Sequence, residues 1–335
     1  GKPCRINTYG DSFTQCHQVS DGETWQEYLA GHLGEPVRNF GMGGFGFYQA
    51  YRRMLREEKT ENSAEYLLLY IWGDDHVRSL LRCRYIYTAS WNRSQDTKEG
   101  KGRMFHGNFW SNVEMNLASG EIEEHGSRIS KPENLYQMTD ADWMVENLED
   151  DLALQMGLYA RGQIDAVDVA RLKQLSGHLN RPLDLEESPI PRTTVASLLD
   201  AYSFAATKTI LKKAEAYANE HDKKLMIILF DPYRVMRTLL AGGTRYDQEI
   251  VDFLEENEFK VFDMNLVHCD DYQSFNLGVG DYCKRYFIGH YSPAGNHFFA
   301  YALKDRMVDW LDPKPLPYRD TTQKIIDFKG YLQKY

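Results

Sequence analysis

Four short stretches of this sequence hold residue types suited to nucleophilic catalysis. "YGDSF" ends an apolar run on Gly10-Asp11-Ser12, and "NFGMGGFG" places Gly43 and Gly44 in a glycine-rich loop. "WGDDH" contributes Asp74, Asp75 and His76, while "GHYSPAGNHFFA" carries His290. A serine hydroxyl is a poor nucleophile until a base within hydrogen-bond reach takes its proton. Imidazole suits that task because it titrates near neutrality. Attack on a carbonyl then creates an oxyanion that needs donors already aimed at it, and losing one costs roughly 3–4 kcal/mol in barrier. Glycine provides backbone donors of this kind because it permits close approach and positive φ. Each stretch also has a plain structural reading. Gly-Asp-Ser is an ordinary strand-to-loop turn, and Asp74 or Asp75 an ordinary helix N-cap.

The hydrophobic pattern supplies elements that would bring these stretches together. Ile6–Tyr9, Val37–Phe40, "YLLLYIW" (Tyr66–Trp72), "KLMIILF" (Lys224–Phe230) and "KVFDMN" read as strands. The continuous apolar runs among them are those of strands buried on both faces of a parallel sheet. Helical patterns alternate with them: Glu23–Leu33, with Trp25, Tyr28, Leu29 and Leu33 on one side, then Phe47–Glu58 and a helix starting at "GDDHVRSLL". Thr193–His221, Tyr246–Glu256 and Pro293–Leu311 complete the series. This alternation predicts an α/β fold, a three-layer α/β/α sandwich with a mostly parallel sheet. The carboxyl ends of parallel strands converge on one crevice. Ser12, the Gly43/Gly44 amides, Asp74/Asp75 and His290 are therefore expected to meet there.

Between residues 85 and 190 the character changes. "NFWSNVEMNLASGEIEEHGSRIS" reads as a hairpin, "TDADWMVENLEDDLALQMGLYARG" as a capped acidic helix, and "DAVDVARLKQL" as another helix. The predicted organisation is a discontinuous α/β domain at 1–84 and 191–315, a large α+β insertion or cap at 85–190, and a C-terminal extension at 316–335. Trp91, Phe105, Phe109 and Trp110 are expected to form the insertion's own small core, with a sugar-stacking platform as the alternative.

Composition excludes several classes. Hydrophobic residues at 42% and charged residues at 26% are ordinary for a soluble globular chain. A net charge of −10 argues against binding nucleic-acid backbones or anionic membranes. No apolar run approaches the ~20 residues that span a bilayer. No signal peptide is apparent, and one removed earlier would mean a secreted or periplasmic protein, so the compartment stays open, as does the oligomeric state. The five cysteines form neither a CxxC pair nor a disulfide framework. "HCDDY" at His268–Tyr272 matches no standard zinc spacing, and neither cofactor nor metal is expected.

Taken in order, the stretches resemble the SGNH (GDSL-type) hydrolases over about residues 4–82 and 222–311, with the insertion outside. The resemblance implies a flavodoxin-like fold and a serine esterase working through an acyl-enzyme on Ser12. The oxyanion would be held by the N–H groups of Ser12 and Gly44, with Gly43 as the fallback. His290 would be the general base, and Gly295 falls at the expected five-residue spacing after it. The expected partner is a small-molecule ester such as an acetylated carbohydrate.

Two departures stand out. The family's third block is Gly-x-Asn-Asp, whose Asn donates to the oxyanion. Here Asp75 takes that place when aligned on the glycine, and Asp74 when aligned on the acidic pair. A carboxyl can donate only when protonated, which burial and a neighbouring carboxylate favour; His76 is another source of the donor. The family's acid, three residues before the histidine, is Phe287 here. His290 must then act in a dyad or borrow Asp281, Asp270 or Asp271, with Asp281 first as the nearest in sequence. Asp11, His76, Arg78 and Tyr233 are candidates for substrate contact, and Arg234 adjoins them. The departures keep a repurposed site in view, for acyl transfer, another bond type, or ligand binding without hydrolysis. A metal-dependent hydrolase using Asp74-Asp75-His76 is a further alternative, although adjacent residues seldom face one ion.

Overall fold

Ile6–Tyr9 (β1) and Tyr66–Ile71 (β3) are buried along their whole length, as are the last four residues of Lys224–Leu229 (β6). The computed structural model describes residues 4–87, 109–182 and 189–319. With Arg38–Asn39 (β2) and Val261–Asp263 (β7) these strands form a five-stranded sheet in the order β2-β1-β3-β6-β7. Every pairing in it is parallel, with Ile6 opposite Tyr66 and Tyr66 opposite Lys224. Successive side chains of a strand point to opposite faces, and the core divides accordingly. Leu67, Leu69 and Ile71 join one hydrophobic cluster, whereas Tyr66, Leu68 and Tyr70 join another. Each fully buried aliphatic side chain contributes on the order of 2 kcal/mol.

Helices cover both clusters. Phe47–Glu57 (α3), the long helix Arg192–Glu220 and Gln248–Glu256 bury residues in the first. Trp25–Leu33 (α2) and the closing helix Pro293–Trp310 do so in the second. The chain is thus an α/β protein with a parallel central sheet, an arrangement compatible with a three-layer sandwich. No described helix is long and apolar enough to cross a membrane.

The stretch following the main sheet's first half contains an antiparallel hairpin, Asn112–Met115 (β4) with Ile122–His125 (β5), and helices at Ala141–Leu148, Leu152–Ala160 and Val169–His178. Its described apolar residues do not form a separate small core. Phe109, Val113, Leu152, Met156 and Leu172 belong to the same continuous cluster as Leu67 and Leu69 of β3. The long helix joins the two parts: Val195 and Leu198 lie in that cluster, and Tyr202 Oη accepts the Met115 N–H at 2.7 Å. Trp110 packs edge-on against Phe45 of the glycine loop. Trp91 and Phe105 lie outside the described residues.

Candidate functional site

Ser12 opens a four-residue helix, Ser12–Gln15 (α1), directly after β1. Asp11 caps it by accepting the Phe13 N–H at 2.9 Å. Gly10 is required at this corner because a Cβ there would lie 2.2 Å from Thr14 Oγ1. The tight corner fixes Ser12 at the carboxyl end of β1, next to the central strand β3. His290 arrives from the far end of the chain, and its Nε2 lies at hydrogen-bond distance from Ser12 Oγ, 2.7 Å. The Gln18 side chain accepts the His290 backbone N–H at 2.6 Å. Phe13 and His17 flank the imidazole, with ring centroids 4.6 and 4.5 Å away. Burial, then the neighbouring His17 and Arg78, push the His290 pKa down to about 4, which keeps the ring neutral and able to accept a proton near pH 7.

Backbone donors lie in the loop after β2. Met42 N–H donates to Gly10 O at 3.0 Å, which ties this loop to the serine corner. Gly43 N–H is committed to Gln15 Oε1 at 2.6 Å. The N–H groups of Ser12 and Gly44 make no hydrogen bond among the described residues, and Gly44 has φ +84°, a conformation that favours glycine. Both remain able to receive an anionic oxygen.

Gly73–Arg78 (α4) follows β3 and brings a compact ionic group. Asp75 is 1% exposed and Asp11 wholly buried. Arg78 Nη1 approaches Asp75 at 3.4 Å and Asp11 at 4.0 Å, and its Nη2 approaches the more exposed Asp74 at 3.7 Å. The guanidinium lies over the Trp72 ring, 4.4 Å from its centroid. Burial pushes the Asp11 pKa up to about 6 against the pull of Arg78. Asp75 is pushed well above the ordinary carboxyl range by burial and then by Asp11. The pair therefore retains a proton at higher pH than a lone carboxyl would.

No family model matches the chain, and no curated protein matches it. What the site can do is carried by its own geometry.

Asp75 Oδ2 also accepts the Trp72 N–H at 3.0 Å and so closes the first turn of α4. Asparagine resembles the protonated acid in shape and keeps the acceptor. Asp75→Asn is expected to fold with little loss of stability. Asp75→Ala, which orphans the buried N–H, is expected to lose about 1–3 kcal/mol of stability. Denaturant unfolding of the two variants is the measurement. Equal losses would mean that Asp75 acts chiefly as an ionised partner of Arg78.

Several expected site residues are elsewhere. Asp281 lies on the outer side of the helix Val279–Tyr286, paired with Lys284 at 2.8 Å, and does not orient His290. Asp271 accepts from Tyr282 and Tyr286. His290 Nδ1 is buried without a hydrogen-bond partner, so no acid among the described residues completes a triad. Phe287, at the family's acid position, stacks on Tyr291 and Phe230. His76 points away from Ser12 into the first core cluster, with Nδ1 2.8 Å from Thr207 Oγ1 and its ring edge-on to Phe204. Tyr233 donates to the backbone oxygen of Gly289 and braces the histidine loop. Arg234 pairs with Asp200.

His268 of "HCDDY" is enclosed by Tyr282 and Tyr291 hydroxyls at 2.9 and 2.7 Å. No group of three or more metal-capable side chains occurs among the described residues. His17 and Gln18 escape a sequence reading. The only signal for them is that two polar side chains follow the serine helix immediately.

Proposed function

We propose that the chain is a serine esterase of the SGNH type, acting on a small ester through a Ser12–His290 dyad. The observation that carries this reading is the 2.7 Å hydrogen bond between Ser12 Oγ and His290 Nε2, made at the carboxyl end of the central parallel sheet. The strand order β2-β1-β3-β6-β7 supports it, being the order of flavodoxin-like sheets. In this reaction His290 Nε2 takes the Ser12 proton as Oγ attacks the ester carbonyl. The oxyanion is held by the Ser12 and Gly44 N–H groups. Arg78, held beside Asp11 and Asp75, supplies positive potential next to the nucleophile. His290 then returns the proton to the departing alcohol, leaving an acyl group on Ser12. Water, deprotonated by the same imidazole, releases the acid and restores the serine. Phe13, His17 and Gln18 hold the ring in place of an acid.

A second reading is a site repurposed for acyl transfer or for binding without hydrolysis. The unpartnered Nδ1 of His290 is the observation that favours it. A fluorophosphonate probe combined with p-nitrophenyl acetate hydrolysis separates the two. The esterase reading expects stoichiometric labelling mapped to Ser12 by peptide mass, together with loss of turnover in proportion to labelling. Labelling without hydrolysis supports transfer. Absence of both sinks the esterase reading.

A further inference from the structure

A groove of about 540 Å3 adjoins the histidine loop, between the turn after β6 and the helix Val279–Tyr286. Tyr233, Cys283 and Phe287 give it an apolar surface, Gly289 forms the wall next to His290, and Arg237 and Lys284 bring positive charge. No carboxylate lines it among the described residues. The Arg237 guanidinium lies 5.3 Å from the Tyr233 ring centroid and has no carboxylate in ion-pair range among the described residues. Lys284 shares the exposed Asp281, a pairing that contributes little in water. In a chain of net charge −10, a cationic groove free of lining acids is a local reversal of sign. Such a reversal attracts anions and selects among them.

The groove lies against the loop that carries His290. Gly289 immediately precedes His290 and accepts from the Tyr233 hydroxyl. The Tyr233 ring lies 6.1 Å from that of Trp72, which carries Arg78 on its face. We infer that this groove binds the anionic part of the ester. The substrate class is then an ester on a ring-sized body bearing a carboxylate or sulfate, such as an acylated acidic sugar. Tyr233 and Phe287 contact the ring, and Arg237 takes the acidic group through its paired N–H donors, with Lys284 as a second point charge. This inference rests on the esterase reading of Ser12.

The test compares kcat/KM for acetate release from an O-acetylated methyl glucuronoside and the corresponding neutral methyl glucoside. Wild type is expected to favour the anionic ester by about tenfold, the effect of one charge-assisted contact. Arg237→Gln with Lys284→Gln is expected to bring the ratio near one, and Arg56→Gln, on a remote exposed site, to leave it unchanged. A ratio near one in wild type, or one that survives the double substitution, overturns the inference. A sulfated ester in parallel decides which acid the groove prefers. Binding of unacetylated methyl glucuronoside and methyl glucoside to Ser12→Ala, followed by NMR titration, does not depend on hydrolysis. If Ser12 proves unreactive, this arm still decides the groove: stronger glucuronoside binding that is lost with Arg237→Gln upholds it, and equal binding overturns it.

Discussion

His290→Ala is expected to lower kcat/KM for p-nitrophenyl acetate by on the order of 10⁴–10⁶-fold, with Ser12→Ala equally damaging and the double variant no worse. The reason lies in how the two side chains act. The Nε2 of His290 is the base nearest to Ser12 Oγ, at 2.7 Å. Asp11 Oδ2, at 3.5 Å, is the next nearest acceptor, and its carboxyl also caps α1. Without imidazole, the hydroxyl must lose its proton to water, and without the hydroxyl the imidazole has nothing to activate. The residual rate would come from the backbone donors and binding alone. Additive losses in the double variant, or a loss below about a hundredfold for either single one, would show that the pair is not the reacting unit. Stopped-flow kinetics on variants matched for thermal unfolding make the comparison.

The acid limb of the rate profile provides the second large effect. A general base must be neutral, so activity falls as pH drops through its pKa. An unperturbed imidazole would lose activity from about pH 6.5. Burial, His17 and Arg78 bring His290 down to about 4, which moves the limb to lower pH. At pH 5 the shifted ring is roughly nine-tenths neutral while an unperturbed one is about 3% neutral, a difference of about thirtyfold in working enzyme. Asp11, pushed up to about 6, gains its proton in the same window. Asp11→Asn removes that step while keeping a side chain able to cap α1. His17→Gln removes a neighbour that repels the imidazolium and should move the limb upward. A wild-type limb near pH 6.5, unmoved by His17→Gln, would refute this account of the electrostatics.

The buried strands were legible because their signal is local: an unbroken apolar run such as "YLLLYIW" leaves little choice but a strand covered on both faces. Ser12 and His290 were legible because each stands at a loop the topology sends to one edge. Asp281 illustrates the limit. It is the acid closest in sequence to His290, yet the helix Val279–Tyr286 turns Tyr282, Cys283 and Tyr286 inward and leaves Asp281 facing water. Val279, Tyr282, Cys283 and Tyr286 of that helix fall at the spacing of one buried helical face, whereas Met264–Tyr272 has little such periodicity. Their interior is organised by hydroxyl and imidazole contacts among Asp271, Tyr282, Tyr286 and His268. His76 misleads for a related reason, since its neighbours in sequence face Arg78 whereas its ring faces the long helix.

The Ser12–His290 contact joins positions 278 apart in the chain, and this separation also orders events during folding. Contacts that span nearly the whole chain form late, since the ends must be brought together before such a contact gives any return. During synthesis the segment carrying Ser12 emerges long before the closing helix that follows His290. A nascent or partly folded chain therefore holds its serine without a base. Under the proposed esterase reading, hydrolysis begins only when the helix Pro293–Trp310 docks against the sheet, and the first turnover would then report complete assembly.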